Sequence, residues 1–147
     1  MSMKEKLADD VKTAMKEKNV TKKQTVQMVR AAILQKEKDE RIVLNDNDII
    51  EVIAKEVKSR KDVLPEYIKS GRDELIADLE LEIAILMDYL PLQLSQDELT
   101  EIVKEGIKET NASSMKDMGK IMAYVKPIIV GRADGKAVNA IVKELLA

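Results

Sequence analysis

The stretch VGRADGKAVN (residues 130–139) has glycines and a lysine at a spacing close to that of a phosphate-binding loop. A Walker A loop needs Gly-x-x-x-x-Gly-Lys and then Ser or Thr, between a strand and a helix, because its backbone N–H groups surround the phosphates. Here Gly131-x-x-x-Gly135-Lys136 is one residue short, and an alanine replaces the hydroxyl residue. The stretch instead predicts a helix–turn–helix corner, in which Gly131 ends one helix in the left-handed conformation and Asp134 caps the next.

Basic residues surround this corner and extend along the helices that flank it. From Ser113 to Ala147 there are six basic and three acidic residues, against two and five from Leu92 to Ala112. Lysine and arginine near the free N–H groups of a helix start suit phosphate contact. The residues that could make such contacts are Lys116, Lys120, Lys126, Arg132, Lys136 and Lys143, with Asn139 as a polar contact. An ordinary solvated helix surface has the same pattern, so the residues by themselves leave both interpretations open.

The chain contains no cysteine and no histidine, which limits the catalysis available to it. A Cys nucleophile, a Ser-His-Asp triad, a histidine base and a His/Cys zinc site are all excluded. A hard-metal site made of carboxylates remains possible in principle, as does a nucleophile–base pair made from Ser or Thr with Lys or a carboxylate. The expectation is nevertheless no catalytic residue, no metal and no cofactor. The charged start MSMKEKLADD lacks the core of a signal peptide, and no apolar run exceeds about five residues, far short of a membrane span. The expected location is the cytoplasm, with no membrane partner.

Composition favours an all-α fold. Of 147 residues, 45% are hydrophobic and 35% charged, with only five glycines and three prolines. A chain of this length can bury a sizeable core without a disulfide or metal. It is rich in Ala, Leu, Met, Glu, Lys and Gln, the residues that helices tolerate best.

The first part of the chain predicts about four helices. Thr21 and Gln24 have the spacing of a capping box that opens the second, and Asn45 or Asp46 can cap the third. Pro65 predicts a kink or break near Leu64 in the third helix. Gly71 is predicted as its C-cap, and the fourth runs from Asp73 to about Tyr89. Periodicity places these side chains in the core: Leu7, Val11, Ala14, Met15, Val26, Val29, Ile33, Leu34, Ile49, Ile50, Ile53, Val57, Leu64, Leu75, Leu79, Ile83, Leu86 and Leu90.

The second part predicts a compact three-helix domain. Pro91 ends the fourth helix, and YLPLQLS is the expected junction between domains 1–92 and 93–147. Ser95 with Glu98 forms a capping box, and Ser113 or Ser114 caps the following helix. Its predicted apolar stripe and that of the last helix comprise Met115, Met118, Ile121, Met122, Val125, Ile129, Val138, Ile141, Val142 and Leu145.

Other charged groups have simpler interpretations. Lys55, Lys58, Arg60 and Lys61 alternate with acidic residues, which predicts ion pairs within one helix. The acidic pairs, such as Glu80 and Glu82, are interpreted as surface residues.

Three stretches carry a resemblance to a known family: EVKSRKDVLPEYIKSGRDEL (56–75), YLPLQLSQDEL (89–99) and SSMKDMGKIM through GRADGKAVN (113–139). The whole chain resembles the bacterial YqeY-like (GatB/YqeY domain) family. Its C-terminal part is similar to the tail domain of the B subunit of tRNA-dependent amidotransferases, a helical appendage that contacts tRNA. The matching motif residues are Gly119, Lys120, Gly131, Arg132, Ala133, Asp134, Val138 and Asn139; Gly135 stands where such tails often have proline.

The resemblance implies a non-catalytic helical module that binds tRNA or tRNA-like RNA through its basic C-terminal domain. The alternative is an accessory module that docks on a glutamine-dependent tRNA amidotransferase or another translation protein. Carbon–nitrogen ligase activity, with glutamine as the amido-nitrogen donor, is implied only by association, because the catalytic domain of that enzyme has no counterpart in this chain.

Overall fold

The computed structural model describes residues 1–146, and within them it consists of seven α-helices, one 3₁₀ turn and no strand. The helices are α1 (Met3–Lys16), α2 (Val20–Glu40), α3 (Asp46–Ser70), α4 (Asp73–Met87), α5 (Gln96–Thr110), α6 (Met118–Ile129) and α7 (Gly135–Leu146). The 3₁₀ turn, η1, spans Met115–Asp117. The all-α prediction is confirmed.

Short polar side chains set most of the helix starts. Ser2, Asn45 and Ser95 each accept a hydrogen bond from the third residue of their helix, whose acidic side chain accepts the cap residue's own N–H. The predicted caps Asn45 and Ser95 are therefore confirmed. The predicted Thr21–Gln24 box is wrong, because Asn19 caps α2 through its side-chain oxygen and the helix already begins at Val20.

The predictions for the middle of α3 and for the start of α6 differ from the structure. The α3 helix continues through Pro65 to Ser70, so there is no break near Leu64. Gly71 then ends α3 with a φ of 69°, as predicted. Ser114 caps η1 rather than α6, and α6 begins three residues later than the periodicity suggested.

The chain divides into two compact units, Met1–Leu90 and a second that begins at Pro91. The predicted boundary after residue 92 stays a prediction. In the first unit, α1 to α4 bury one apolar cluster, with Leu7, Val26, Ile49, Ile53 and Leu86 fully or almost fully buried. The predictions for Met15, Leu34 and Leu75 are wrong, since each is more than a third exposed.

In the second unit, α5, α6 and α7 enclose a separate cluster around Val103, Ile121, Val125, Val138 and Val142. Gly106 on α5 allows the close approach of α6, because a Cβ at this position would lie 3.0 Å from Cδ1 of Tyr124. Leu145, which was predicted to be buried, is exposed instead.

Candidate nucleic-acid interface

The last helix presents one polar, basic face. Gly131 adopts a φ of 70° and follows the end of α6, and Oδ1 of Asp134 accepts the N–H of Lys136 at 3.1 Å. Both roles predicted for this corner are thereby confirmed. Since Val138, Ile141 and Val142 are buried, the helical period of about 3.6 residues leaves the opposite side exposed. That side carries Lys136, Asn139 and Lys143, which we call the α7 face.

Lys116 and Lys120 lie near the start of α6. Lys116 belongs to η1, and both side chains are exposed. Nζ of Lys120 is 4.0 Å from Oδ1 of Asp117. The pKa of the Asp117 carboxyl is lowered, first by the N–H of Ser113, then by that of Ser114, and also by the charge of Lys120. Lys120 is therefore next to an anion, which reduces the net positive charge it offers to a ligand.

Lys126 is exposed on α6 but does not share a face with Lys120. The two residues are six positions apart, which corresponds to a rotation of about 120° around the helix axis. Lys120 and Lys126, the two predicted basic residues of α6, therefore do not form a single stripe. Lys136, Asn139 and Lys143, which form the α7 face, are the predicted residues that lie on one side of a single helix.

Arg132 is half-buried and engaged with its own unit. Its Nε donates to the carbonyl of Leu92 at 3.3 Å, and its carbonyl accepts the N–H of Leu94 at 2.9 Å. The side chain of Gln93 also donates to the carbonyl of Gly131 at 2.7 Å. Arg132 thus helps to fix the turn to residues 92–94, a structural role that the sequence interpretation missed because it considered only ligand contact.

The remaining motif glycines are less constrained. Gly119 is exposed in the first turn of α6, and a Cβ built on it would meet nothing within 4 Å. A Cβ on Gly135 would lie 3.8 Å from Cε of Met122, an ordinary contact distance. Within residues 1–146, no group of three or more acidic side chains could hold a metal ion. None of the helices in that same range is long and apolar enough to cross a membrane.

Sequence reasoning overlooked a second basic segment, in the first unit. From Lys18 to Lys36 the chain has five basic residues and no acidic one. Most of this segment forms α2. Counting charge by segment rather than by domain finds it, because α4, with five acidic residues and no basic one, and the acidic end of α2 balance it in the domain total.

Together, these features define an all-α protein of two helical units, each with an exposed basic helix. The family model described as Yqey-like protein matches residues 4–146, and the chain therefore belongs to the YqeY-like protein family.

Among the relatives is a protein named altered inheritance of mitochondria protein 41, mitochondrial. The Pyrenophora tritici-repentis protein of this name is 27% identical over 96% of this chain and 79% of its own length. The Eremothecium gossypii protein is 33% identical over 57% of this chain and 46% of its own. The Kluyveromyces lactis protein is 34% identical over 56% and 45%, respectively.

Proposed function

We propose that this protein is a non-catalytic helical module that binds tRNA or another structured RNA through its second unit. The observation that carries the proposal is the α7 face, where Lys136, Asn139 and Lys143 are exposed opposite a fully buried apolar stripe. Because the core fixes the rotation of the helix, the two ammonium groups and the amide are held on one side without help from a ligand.

The chemistry of this face suits the sugar–phosphate backbone rather than the bases. Lysine is a point charge with rotatable donors, and asparagine can bond to a phosphate oxygen or a 2′-hydroxyl. Base stacking needs aromatic platforms, and the chain has only three tyrosines and no Trp or Phe. We therefore expect recognition by shape and phosphate position, with an affinity that falls steeply as salt rises.

The resemblance to amidotransferase tails also supports RNA binding, since those tails contact tRNA. Docking on an amidotransferase or another translation protein is the alternative proposal. Amide transfer by this chain is not proposed. The proposed location is the cytoplasm, where tRNA is abundant.

A filter-binding titration with bulk tRNA at low salt tests the proposal. We expect saturable binding by the full chain and at least a tenfold loss in the double variant Lys136→Glu, Lys143→Glu. The matched control is Lys104→Glu, Lys108→Glu, which changes the net charge equally on α5 of the same unit. The control should retain most of the binding. Absence of binding at tens of micromolar, or an equal loss in both variants, would contradict the proposal.

A further inference from the structure

The α2 helix of the first unit combines positive charge with exposed apolar side chains. The basic segment that leads into α2 and forms most of it contains Lys18, Lys22, Lys23, Arg30 and Lys36, and the nearest acidic residues along the chain are Glu17 and Glu37. Among residues 1–146, none of these five basic side chains has a hydrogen-bond or ion-pair partner. Their charge is therefore available to a ligand.

Three large apolar side chains on α2 are more than half exposed: Val20 at 61%, Met28 at 51% and Leu34 at 55%. The periodicity predicted Leu34 to be in the core with Ile33. The two side chains differ by about 100° around the axis, and the core accommodates only Ile33. As a result, Leu34 remains at the surface.

An open groove of about 310 Å³ lies where α1 packs against the second half of α2. Leu7, Ala31, Ile33 and Leu34 supply its apolar lining, and Lys4, Arg30 and Glu37 its charged groups. Glu37 is already neutralised, because its Oε2 accepts Nζ of Lys4 at 2.6 Å and the N–H of Leu44 at 2.8 Å. The uncompensated charge at the groove is that of Arg30, so the groove is apolar with a positive edge.

We propose that this region is a docking surface for an acidic amphipathic helix of a partner protein. The surface, called the α2 surface below, consists of Lys23, Gln27, Arg30, Ala31 and Leu34. The apolar side of the incoming helix packs on Leu34 and Ala31 at the groove, as in other helix-in-groove complexes. Its carboxylates face Lys23 and Arg30, which lie seven residues apart on one side of α2 and so repeat every two turns.

The same residues argue for protein rather than RNA as the occupant. An RNA backbone gains nothing from an exposed leucine and an apolar groove, and no Tyr, Trp or Phe lies in α2 to stack on bases. Because the segment from Lys18 to Lys36 has no acidic residue, its positive charges repel a basic helix. A neutral helix would remove water from these charges without supplying carboxylates in exchange. This inference concerns the first unit and does not depend on the proposed RNA function of the second.

The test uses the full chain and a fluorescein-labelled 18-residue peptide with leucine at positions i, i+3, i+4 and i+7 and glutamate at most others. Fluorescence anisotropy should show saturable binding at micromolar concentrations that weakens with salt. Two further peptides serve as controls, one with lysine in place of glutamate and one with the same composition scrambled. Neither should bind comparably.

Two surface variants locate the site. Two variants, Leu34→Gln and the double variant Lys23→Glu, Arg30→Glu, should each weaken the binding of the acidic peptide by about tenfold or more. Matched controls are Leu81→Gln, a similarly exposed leucine on α4, and Lys58→Glu, Lys61→Glu on α3. All four variants change exposed or partly exposed side chains, and circular dichroism confirms that each is folded.

Several results would overturn the proposal. One is the absence of acidic-peptide binding by the folded chain, and another is equal binding of the acidic and basic peptides. A third is displacement of the peptide by bulk tRNA together with loss of tRNA binding in Lys23→Glu, Arg30→Glu, which would make α2 an RNA surface. A dimer that Leu34→Gln dissociates would make it a self-association surface, and charge-dependent binding to anionic vesicles that Leu34→Gln abolishes would make it a lipid surface.

Discussion

Arg60 shows how a single residue can depart from its sequence pattern. The basic group on α3 was interpreted as forming ion pairs within one helix, and for Arg60 this is partly correct, since its Nη1 lies 2.7 Å from Oε2 of Glu56. Arg60 is also only 8% exposed, and its Nε lies 3.4 Å from Oε2 of Glu82 on α4. The guanidinium therefore joins α3 to α4. The aliphatic stem of an arginine packs well between helices when its charge is paired.

Glu37 allows a prediction about pH. Its carboxylate accepts hydrogen bonds from Lys4 and from the N–H of Leu44, and these lower its pKa below the ordinary value of 4.5. A lowered pKa in the folded state stabilises the protein above the unfolded-state pKa, and this stabilisation is lost as the pH falls through the folded-state value. We expect Glu37→Gln to reduce the free energy of unfolding at about pH 7, and this effect to shrink as the pH falls below 4.5.

Urea denaturation of both proteins across this range measures that difference. Glu40→Gln, which removes the same charge from the same helix, is the control for net charge. A constant difference between Glu37→Gln and the parent at all pH values would show that the carboxylate charge at residue 37 contributes nothing to stability.

At the scale of helices, starts and ends are set by local chemistry, and most of them were predictable. Asn45 and Ser95 cap α3 and α5, and Gly71 and Gly131 adopt the left-handed conformation that ends a helix. The effect of Pro65 is different from the prediction, which was a kink or break near Leu64. Proline lacks an N–H and disfavours a helix interior, yet α3 continues beyond it to Ser70, although its buried side chains, the last of which is Arg60, all precede Pro65.

Pro65→Ala should therefore stabilise the protein. The substitution restores a backbone donor inside α3, and proline is about 3 kcal/mol less favourable than alanine in a helix interior. Pro65 is exposed, so no core packing is lost. We expect a gain of about 1–3 kcal/mol in the free energy of unfolding, measured by chemical denaturation. Glu66→Ala at the neighbouring exposed position is the control and should change stability by only a few tenths. An unchanged or reduced stability in Pro65→Ala would show that this proline is not under strain in α3.

For the molecule as a whole, the two apolar clusters share no residue. One lies in α1 to α4 and the other in α5 to α7. A cavity in one cluster should consequently affect mainly the unit that contains it. The proposed RNA face and the proposed α2 surface also belong to different units, so each proposal can be tested with the other surface intact.

Val103→Ala tests this independence. Val103 is fully buried, and its truncation should cost about 2 kcal/mol in the second unit. Native-state hydrogen exchange should show faster exchange in α5 to α7 and unchanged exchange in α2 and α3. Val26→Ala in the first cluster is the reciprocal control and should give the opposite pattern. Equal loss of protection in both units would show that the chain unfolds as one cooperative body.

The sequence by itself determined the helical class, most helix limits and the corner at residues 131–134. These features depend on propensity, short polar caps and glycine conformation, which are local properties of the chain. Periodicity also identified most of the core, including Leu7, Ile53, Val125 and Val142.

Only the tertiary structure decided which apolar residues at the edge of a stripe are buried. Leu34 and Met15 have helical spacing but are exposed, whereas Arg60 is buried through partners on two helices. It also decided that Arg132 bonds to the Leu92 carbonyl. The physical reason is that burial and hydrogen bonding at these positions depend on the neighbouring helices, and the rotation of one helix against another is not encoded in the period of either.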